Sequence, residues 1–87
     1  MSDAQDNWQR LAMMVVELSD TMHDPHDVKT DTRLVGDLGL SSLMAVNLMV
    51  DLETAFEIVV REEDFDHLVT VGDLLGVIER RQMEKVP

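Results

Sequence analysis

The stretch Asp37-Leu38-Gly39-Leu40-Ser41-Ser42-Leu43 decides how this chain is read. A glycine in a loop, two hydroxyl side chains and then a long apolar run from Leu43 mark the handover from loop to helix, with Ser41 or Ser42 at the cap. A hydroxyl there sits beside unpaired backbone N–H groups and the positive end of the helix dipole. An anion esterified to it is stabilised by roughly 0.3–1 kcal/mol, which suits a phosphoester. Two plain capping serines, worth about 1 kcal/mol to the helix, are the other reading of the same stretch.

Downstream, a helix runs from about Ser42 to Phe56. Leu48, Leu52 and Phe56 recur at four-residue steps, with Ala45 and Ala55 beside them, and form its core stripe. Leu43, Met44, Val46, Met49 and Val50 exceed what one buried stripe can hold, so part of this helix is expected to be apolar and exposed. Ile58-Val59-Val60 reads as an extended connector burying one or two side chains, because a lone three-residue strand has no partner. Glu62 to His67 reads as a short helical turn with Phe65 and Leu68 inward, and His67 as structural. Thr70 caps a final helix in which Val71, Leu74, Leu75 and Ile78 follow an amphipathic pattern. Gly72 and Gly76 weaken it by about 1 kcal/mol each relative to Ala if they lie inside it, a cost that suggests an exposed face or the close approach of another segment. Arg80, Arg81 and Lys85 favour its C-terminal end through the dipole.

Upstream, Trp8, Leu11, Val15, Leu18 and Met22 share one face of a first helix, with Met14 beside them and Asp3 or Asp6 as its cap. Pro25 ends it. From His23 to Gly36 no periodicity survives, leaving a loop of roughly fourteen to nineteen residues anchored by Val28, Leu34, Val35 and Leu38. His23, Asp24, His26, Asp27 and Asp31 fall in this loop, but their spacing fits no calcium-binding loop, and no metal site is assigned. The fold class is therefore all-α: a four-helix bundle of three long helices and one short third helix, with a long loop between the first two. It is one domain over 1–87, with about 1–6 and 82–87 expected to fray.

Composition limits the functions. With 18 acids against seven Lys and Arg, the net charge of −11 argues against nucleic acid and anionic membranes and for basic partners. There is no cysteine, so packing alone holds the fold. The longest unbroken apolar run, Leu11 to Val16, is too short to span a bilayer, and the first residues lack a secretory pattern. A soluble, cytoplasmic, monomeric protein is expected. No nucleophile–base pair and no glycine-rich phosphate loop is present, so no catalytic residue is assigned and the chain is not read as an enzyme.

Asp-Leu-Gly-x-x-Ser-Leu followed by Met-Ala-Val-x-Leu resembles the attachment motif of acyl carrier proteins. The resemblance runs from about Val28 to Arg80, taking in Phe56-Glu57-Ile58 and Thr70-Val71-Gly72-Asp73-Leu74. It implies that Ser42 receives 4′-phosphopantetheine from coenzyme A through a phosphopantetheinyl transferase. Acyl groups would then ride as thioesters on that arm among ketosynthase, acyltransferase or ligase-type enzymes with basic docking patches. Ser41 stands where fatty-acid and polyketide carriers usually have Asp and some peptidyl carriers have His. The resemblance places partner recognition on Leu43, Met44, Val46, Asn47, Asp51, Glu53 and Glu57. Met44 and Asn47 take positions often acidic in fatty-acid carriers, and acidity shifts to the stretch Asp51–Asp66, with seven acids and one base, Arg61. A discrete carrier in polyketide or related specialised-metabolite assembly is the favoured reading, ahead of a fatty-acid carrier and an aminoacyl or peptidyl carrier. An unmodified acidic helical module that binds a basic partner is the alternative of another class.

Overall fold

The computed structural model describes residues 3–65 and 68–84. Among the described residues four α-helices follow one another: α1 over Asp3–Leu18, α2 over Ser42–Phe56, α3 over Glu62–Phe65 and α4 over Val71–Glu84. A 3₁₀ turn, Pro25–Asp27, lies in the long first loop. No strand occurs among the described residues; Arg33 and Thr70 form one isolated antiparallel bridge. The architecture is the all-α bundle the periodicities predict.

The three long helices pack pairwise, α1 on α2 and α4, and α2 on α4. Leu11 and Val15, Leu48 and Leu52, and Val71, Leu74 and Ile78 are almost wholly buried and meet in one core. Ala12, Phe56 and Val77 are buried with them from the same helices. Ile58 and Val60 point in while Val59 points out, so the connector after α2 buries two side chains by simple alternation. Two polar ties escaped the sequence reading. Asn7 and Gln82 exchange amide hydrogen bonds of 2.7 and 3.2 Å between α1 and α4. Arg10 donates to the Ala55 carbonyl at 2.7 Å and lies 4.9 Å over the Phe56 ring, closing the C-terminal end of α2.

Four expectations need correction. The first helix stops at Leu18, not near Pro25, because the Ser19 side chain turns the chain: Oγ accepts from the N–H groups of Thr21 and Met22 at 3.1 Å and donates to the Leu38 carbonyl at 2.8 Å. Met22 still packs on the core, but from the loop. Asp6 cannot cap α1, being its fourth residue. Val35 is not an anchor and is 73% exposed. Residues 33–39 coil through hydrogen bonds from Asp37 and Leu38 to Arg33 and from Gly39 to Val35, so Leu34 and Leu38, four apart, share the inner side and Val35 is left outside. Finally, Arg80 and Arg81 are more than dipole partners. Asp64, buried in α3, accepts two bonds from Arg81 Nη2 at 2.8 and 2.7 Å, one from its Nε at 3.1 Å and one from Arg80 at 2.8 Å. Burial opposes ionisation of that carboxyl, but the Arg61 N–H and the two guanidinium groups outweigh it and hold the pKa below 3.8. One carboxylate thus ties α3 to α4.

Helical backbone reaches into the terminal segments, from Asp3 and to Glu84; residues 1–2 and 85–87, with Lys85, lie outside the described residues. So do Asp66, His67 and the Phe65 side chain, while Leu68 is half-buried against the core.

The long loop runs alongside the entry to α4. Leu34 donates to Val69 at 2.9 Å, Val71 to Thr32 at 2.9 Å and Gly72 to Thr30 at 2.9 Å. A Cβ on Gly72 would stand 2.8 Å from the Thr30 carbonyl, so this glycine permits close approach, whereas Gly76 faces open space. Val28, Leu34, Leu38 and Leu40 turn into the core from the same loop. Asp24 caps the 3₁₀ turn and pairs with His26 at 3.0 Å. No group of three or more His, Asp or Glu among the described residues could hold a metal ion.

Candidate functional site

The segment before α2 is held from below by hydroxyls of the α1 exit. Ser19 Oγ binds the Leu38 carbonyl and Thr21 Oγ1 the Asp37 carbonyl, each at 2.8 Å. Asp37 accepts from the Arg33 N–H at 2.8 Å and from its guanidinium at 3.4 Å, and these two bonds, the N–H first, lower its pKa. Gly39 takes a positive φ of 69°, which an L side chain rarely adopts. Leu38 and Leu40 alternate inward around it, and Leu40 donates to the Leu34 carbonyl at 3.1 Å. These contacts deliver Ser41 and Ser42 to the molecular surface.

The two serines divide their work. Ser41 is the N-cap, in extended conformation, and its Oγ accepts from the Met44 N–H at 3.2 Å while its carbonyl accepts from Ala45 at 2.9 Å. Ser42 is the first helical residue. It is exposed, and neither its hydroxyl nor its N–H, nor the N–H of Leu43, has a hydrogen-bond partner among the described residues. A free primary hydroxyl thus stands beside two unsatisfied donors at the positive end of a fifteen-residue helix. That is a chemical fit for a phosphodiester carrying 4′-phosphopantetheine: the oxygen is reachable, its removal from the N–H network costs nothing, and the phosphate oxygens meet donors that lack acceptors.

Along α2 the apolar surplus is outside. Leu43, Val46 and Val50 are 71, 50 and 55% exposed and lie three and four residues apart on one face. Met44 is half-buried and Asn47 exposed, and the first turn contains no acid. Asp51 is exposed, Glu53 half-buried with its carboxylate 3.4 Å from the Val60 N–H, and Glu57 exposed at the left-handed end of the helix. The acidic stretch is less available than its composition implies, because Asp64 is buried and consumed by Arg80 and Arg81. Ser19 and Thr21, which position the site, went unnoticed in the sequence. Their only signal was two hydroxyls at the point where apolar periodicity fails.

Among the described residues no helix is long and apolar enough to cross a membrane. The family described as phosphopantetheine attachment site matches residues 9–78. The chain is 31% identical over 84 residues to a protein of Schizosaccharomyces pombe named as a mitochondrial acyl carrier protein, covering 97% of this chain and 75% of the relative. It is 40% identical over 58 residues to the acyl carrier protein of Chlamydia trachomatis serovar D, covering 67% of this chain and 75% of that one. The acyl carrier protein of Thermotoga maritima matches at 36% over 58 residues, covering 67% and 72%. Proteins of this family hold 4′-phosphopantetheine covalently, meet synthases and transferases, and carry substrates rather than transform them. On this fold, this profile and these relatives, the chain belongs to the acyl carrier protein family.

Proposed function

We propose that Ser42 is the attachment residue and that the protein presents acyl thioesters in polyketide or related specialised-metabolite assembly. In the loading step Ser42 Oγ forms a bond to the phosphorus that bears pantetheine in coenzyme A. The bond to adenosine 3′,5′-bisphosphate breaks, and the serine proton passes to the transferase. The observation that carries this reading is the division of labour at α2: Ser41 caps, leaving the Ser42 hydroxyl exposed and unbonded. The thiol at the far end of the arm then accepts the acyl group. Leu43, Met44, Val46 and Asn47 would meet partner enzymes near the arm, and Asp51, Glu53 and Glu57 would meet their basic patches about 13–22 Å further along, at 1.5 Å per residue.

The polyketide assignment is supported by the absence of acids in the first turn of α2, where fatty-acid carriers are typically charged. All 87 residues act as one monomeric carrier domain, and the cytoplasm is the proposed compartment.

Intact mass after incubation with coenzyme A and a permissive transferase tests the attachment. One phosphopantetheinyl increment is expected, retained in Ser41→Ala and absent in Ser42→Ala. Two increments, or one that follows Ser41, would show the register to be wrong, and no increment on the native protein would leave an unmodified docking module. Recovery of the loaded protein from its own cells tests the pathway: a series of saturated straight-chain thioesters would replace the polyketide assignment with a fatty-acid one. Cell fractionation, with the protein in an organelle, would revise the compartment.

A further inference from the structure

A second concave region lies between α1 and the long first loop. It is a cleft of about 800 Å³ lined by Trp8, Gln9, Ala12, Met13, Pro25, His26, Val28, Lys29 and Thr30. Its volume falls within the range of small-molecule sites, and its walls are mainly apolar with few polar groups. Ala12 and Val28 form its floor at 3% exposure, Trp8 and Pro25 are half-buried, and Met13 stands 61% exposed at its edge.

The charge of this cleft is opposite to that of the protein. In a chain with 18 acids its described lining residues include no carboxylate. Two smaller clefts follow the overall composition: one of about 340 Å³ is lined by Glu63, Asp64 and Asp73, and one of about 590 Å³ by Glu17 and Asp51. Lys29 is also set apart from the other described cations. Arg10 is engaged by the Ala55 carbonyl, Arg33 by Asp37, Arg61 by Glu63, Arg80 by Asp64, and Arg81 by Asp64 and Glu84. The Lys29 ammonium pairs with no acid among the described residues; its backbone N–H donates to Thr32 Oγ1 and its carbonyl accepts from the Thr32 N–H. Asp24, the nearest acid before the turn, is committed to the His26 N–H and ring.

We infer that this cleft binds an apolar monocarboxylate, its hydrocarbon chain against Trp8, Ala12, Met13 and Val28 and its carboxylate at the Lys29 ammonium. A neutral apolar ligand has no use for the Lys29 ammonium, which meets no acid among the described residues, and a cationic one meets no counter-charge among the described lining residues. The inference is independent of Ser42: it concerns a non-covalent site whose described lining includes no residue of α2, and it stands or falls without modification of the protein.

Trp8 is the only tryptophan in the chain and lines the cleft, so its fluorescence reports occupancy directly. The full-length, unmodified protein is titrated with hexanoate, octanoate and decanoate below their micellar concentrations, and with decanol and decylamine. Saturable changes are expected with the carboxylates, tightening by about two- to fourfold per methylene. Lys29→Gln should weaken decanoate about two- to fivefold, the range of an exposed ion pair, and leave decanol unchanged. Met13→Glu should weaken the carboxylates and decanol, while Met83→Glu, on the exposed side of α4, serves as the matched control. Thermal melts check that each variant is folded; both cleft substitutions fall on exposed side chains. Equal affinity for decanol and decanoate, indifference to Lys29→Gln, or equal loss in Met83→Glu would overturn the inference. So would a Trp8 response to an acidic amphipathic peptide with none to decanoate, which would make the cleft a peptide dock.

Discussion

Two helix starts in this molecule solve the same problem differently. At α4, Thr70 Oγ1 accepts from the Asp73 N–H at 3.2 Å, and the Asp73 carboxylate reaches back to the N–H groups of Val69 and Thr70 at 3.0 and 3.1 Å. The loop takes the next donors, Val71 going to Thr32 and Gly72 to Thr30. At α2, Ser41 satisfies Met44 alone, no acid occupies the first turn, and the donors of Ser42 and Leu43 stay without acceptors. The closed start belongs to a helix that packs into the bundle against α1 and α2. The open one belongs to the residue proposed to take a phosphate, and a start already closed by a carboxylate would repel that group and compete with it.

The largest separation between the two ends should come from Gly72→Ala. Its new methyl meets the Thr30 carbonyl at 2.8 Å, so the loop must shift, and a loss of about 1–3 kcal/mol in denaturant unfolding is expected. Gly76→Ala, with nothing nearby, should instead raise stability by up to about 1 kcal/mol. Equal effects of the two would mean that the loop does not press on α4.

Next in size is the response to acid. The Val69 and Thr70 N–H groups hold the Asp73 pKa below 3.8, and Asp64 is likewise lowered. Each carboxyl binds its proton less readily folded than unfolded. The stability they supply is therefore complete above the unfolded value of 3.8 and is lost as pH falls through the lower folded values. Amide exchange should show the first turn of α4 opening under acid while the Met44 amide, capped by a hydroxyl that does not titrate, keeps its protection. Simultaneous opening of both would erase the distinction. Thr70→Ala should cost about 1 kcal/mol at neutral pH.

The smallest effect is on α2 itself. Phosphopantetheinylation should stabilise the protein by about 0.3–1 kcal/mol, less at high salt, because the phosphate faces unpaired donors. Ser41→Asp should keep the cap yet shrink this increment, since its carboxylate would already face the same donors. A holo form melting at or below the apo form would show that the open start does not receive the phosphate.

Much of this was legible in the chain. The boundaries of α2, the core triplet Leu48, Leu52 and Phe56, an apolar surplus on α2 of which Leu43, Val46 and Val50 lie outward, and an extended connector burying one or two of Ile58, Val59 and Val60 follow from side-chain spacing, because helices and extended segments place residues at fixed periods whatever surrounds them. Where periodicity fails, so did the reading. Nothing in the one-dimensional order marks that Ser19 would end α1 by bonding Leu38, nineteen residues away, that Val35 would lie outside, or that Asp64 would leave an acidic run to bind Arg81. Which of two adjacent serines caps α2 was likewise undetermined by their identity, since both hydroxyls can serve. The sequence by itself determined that a helix begins at this pair and which faces are apolar, because those depend on local geometry. Only the tertiary structure decided which hydroxyl is left free, because that depends on how Ser19, Thr21 and the buried Leu38 and Leu40 deliver the chain to the helix from a distance.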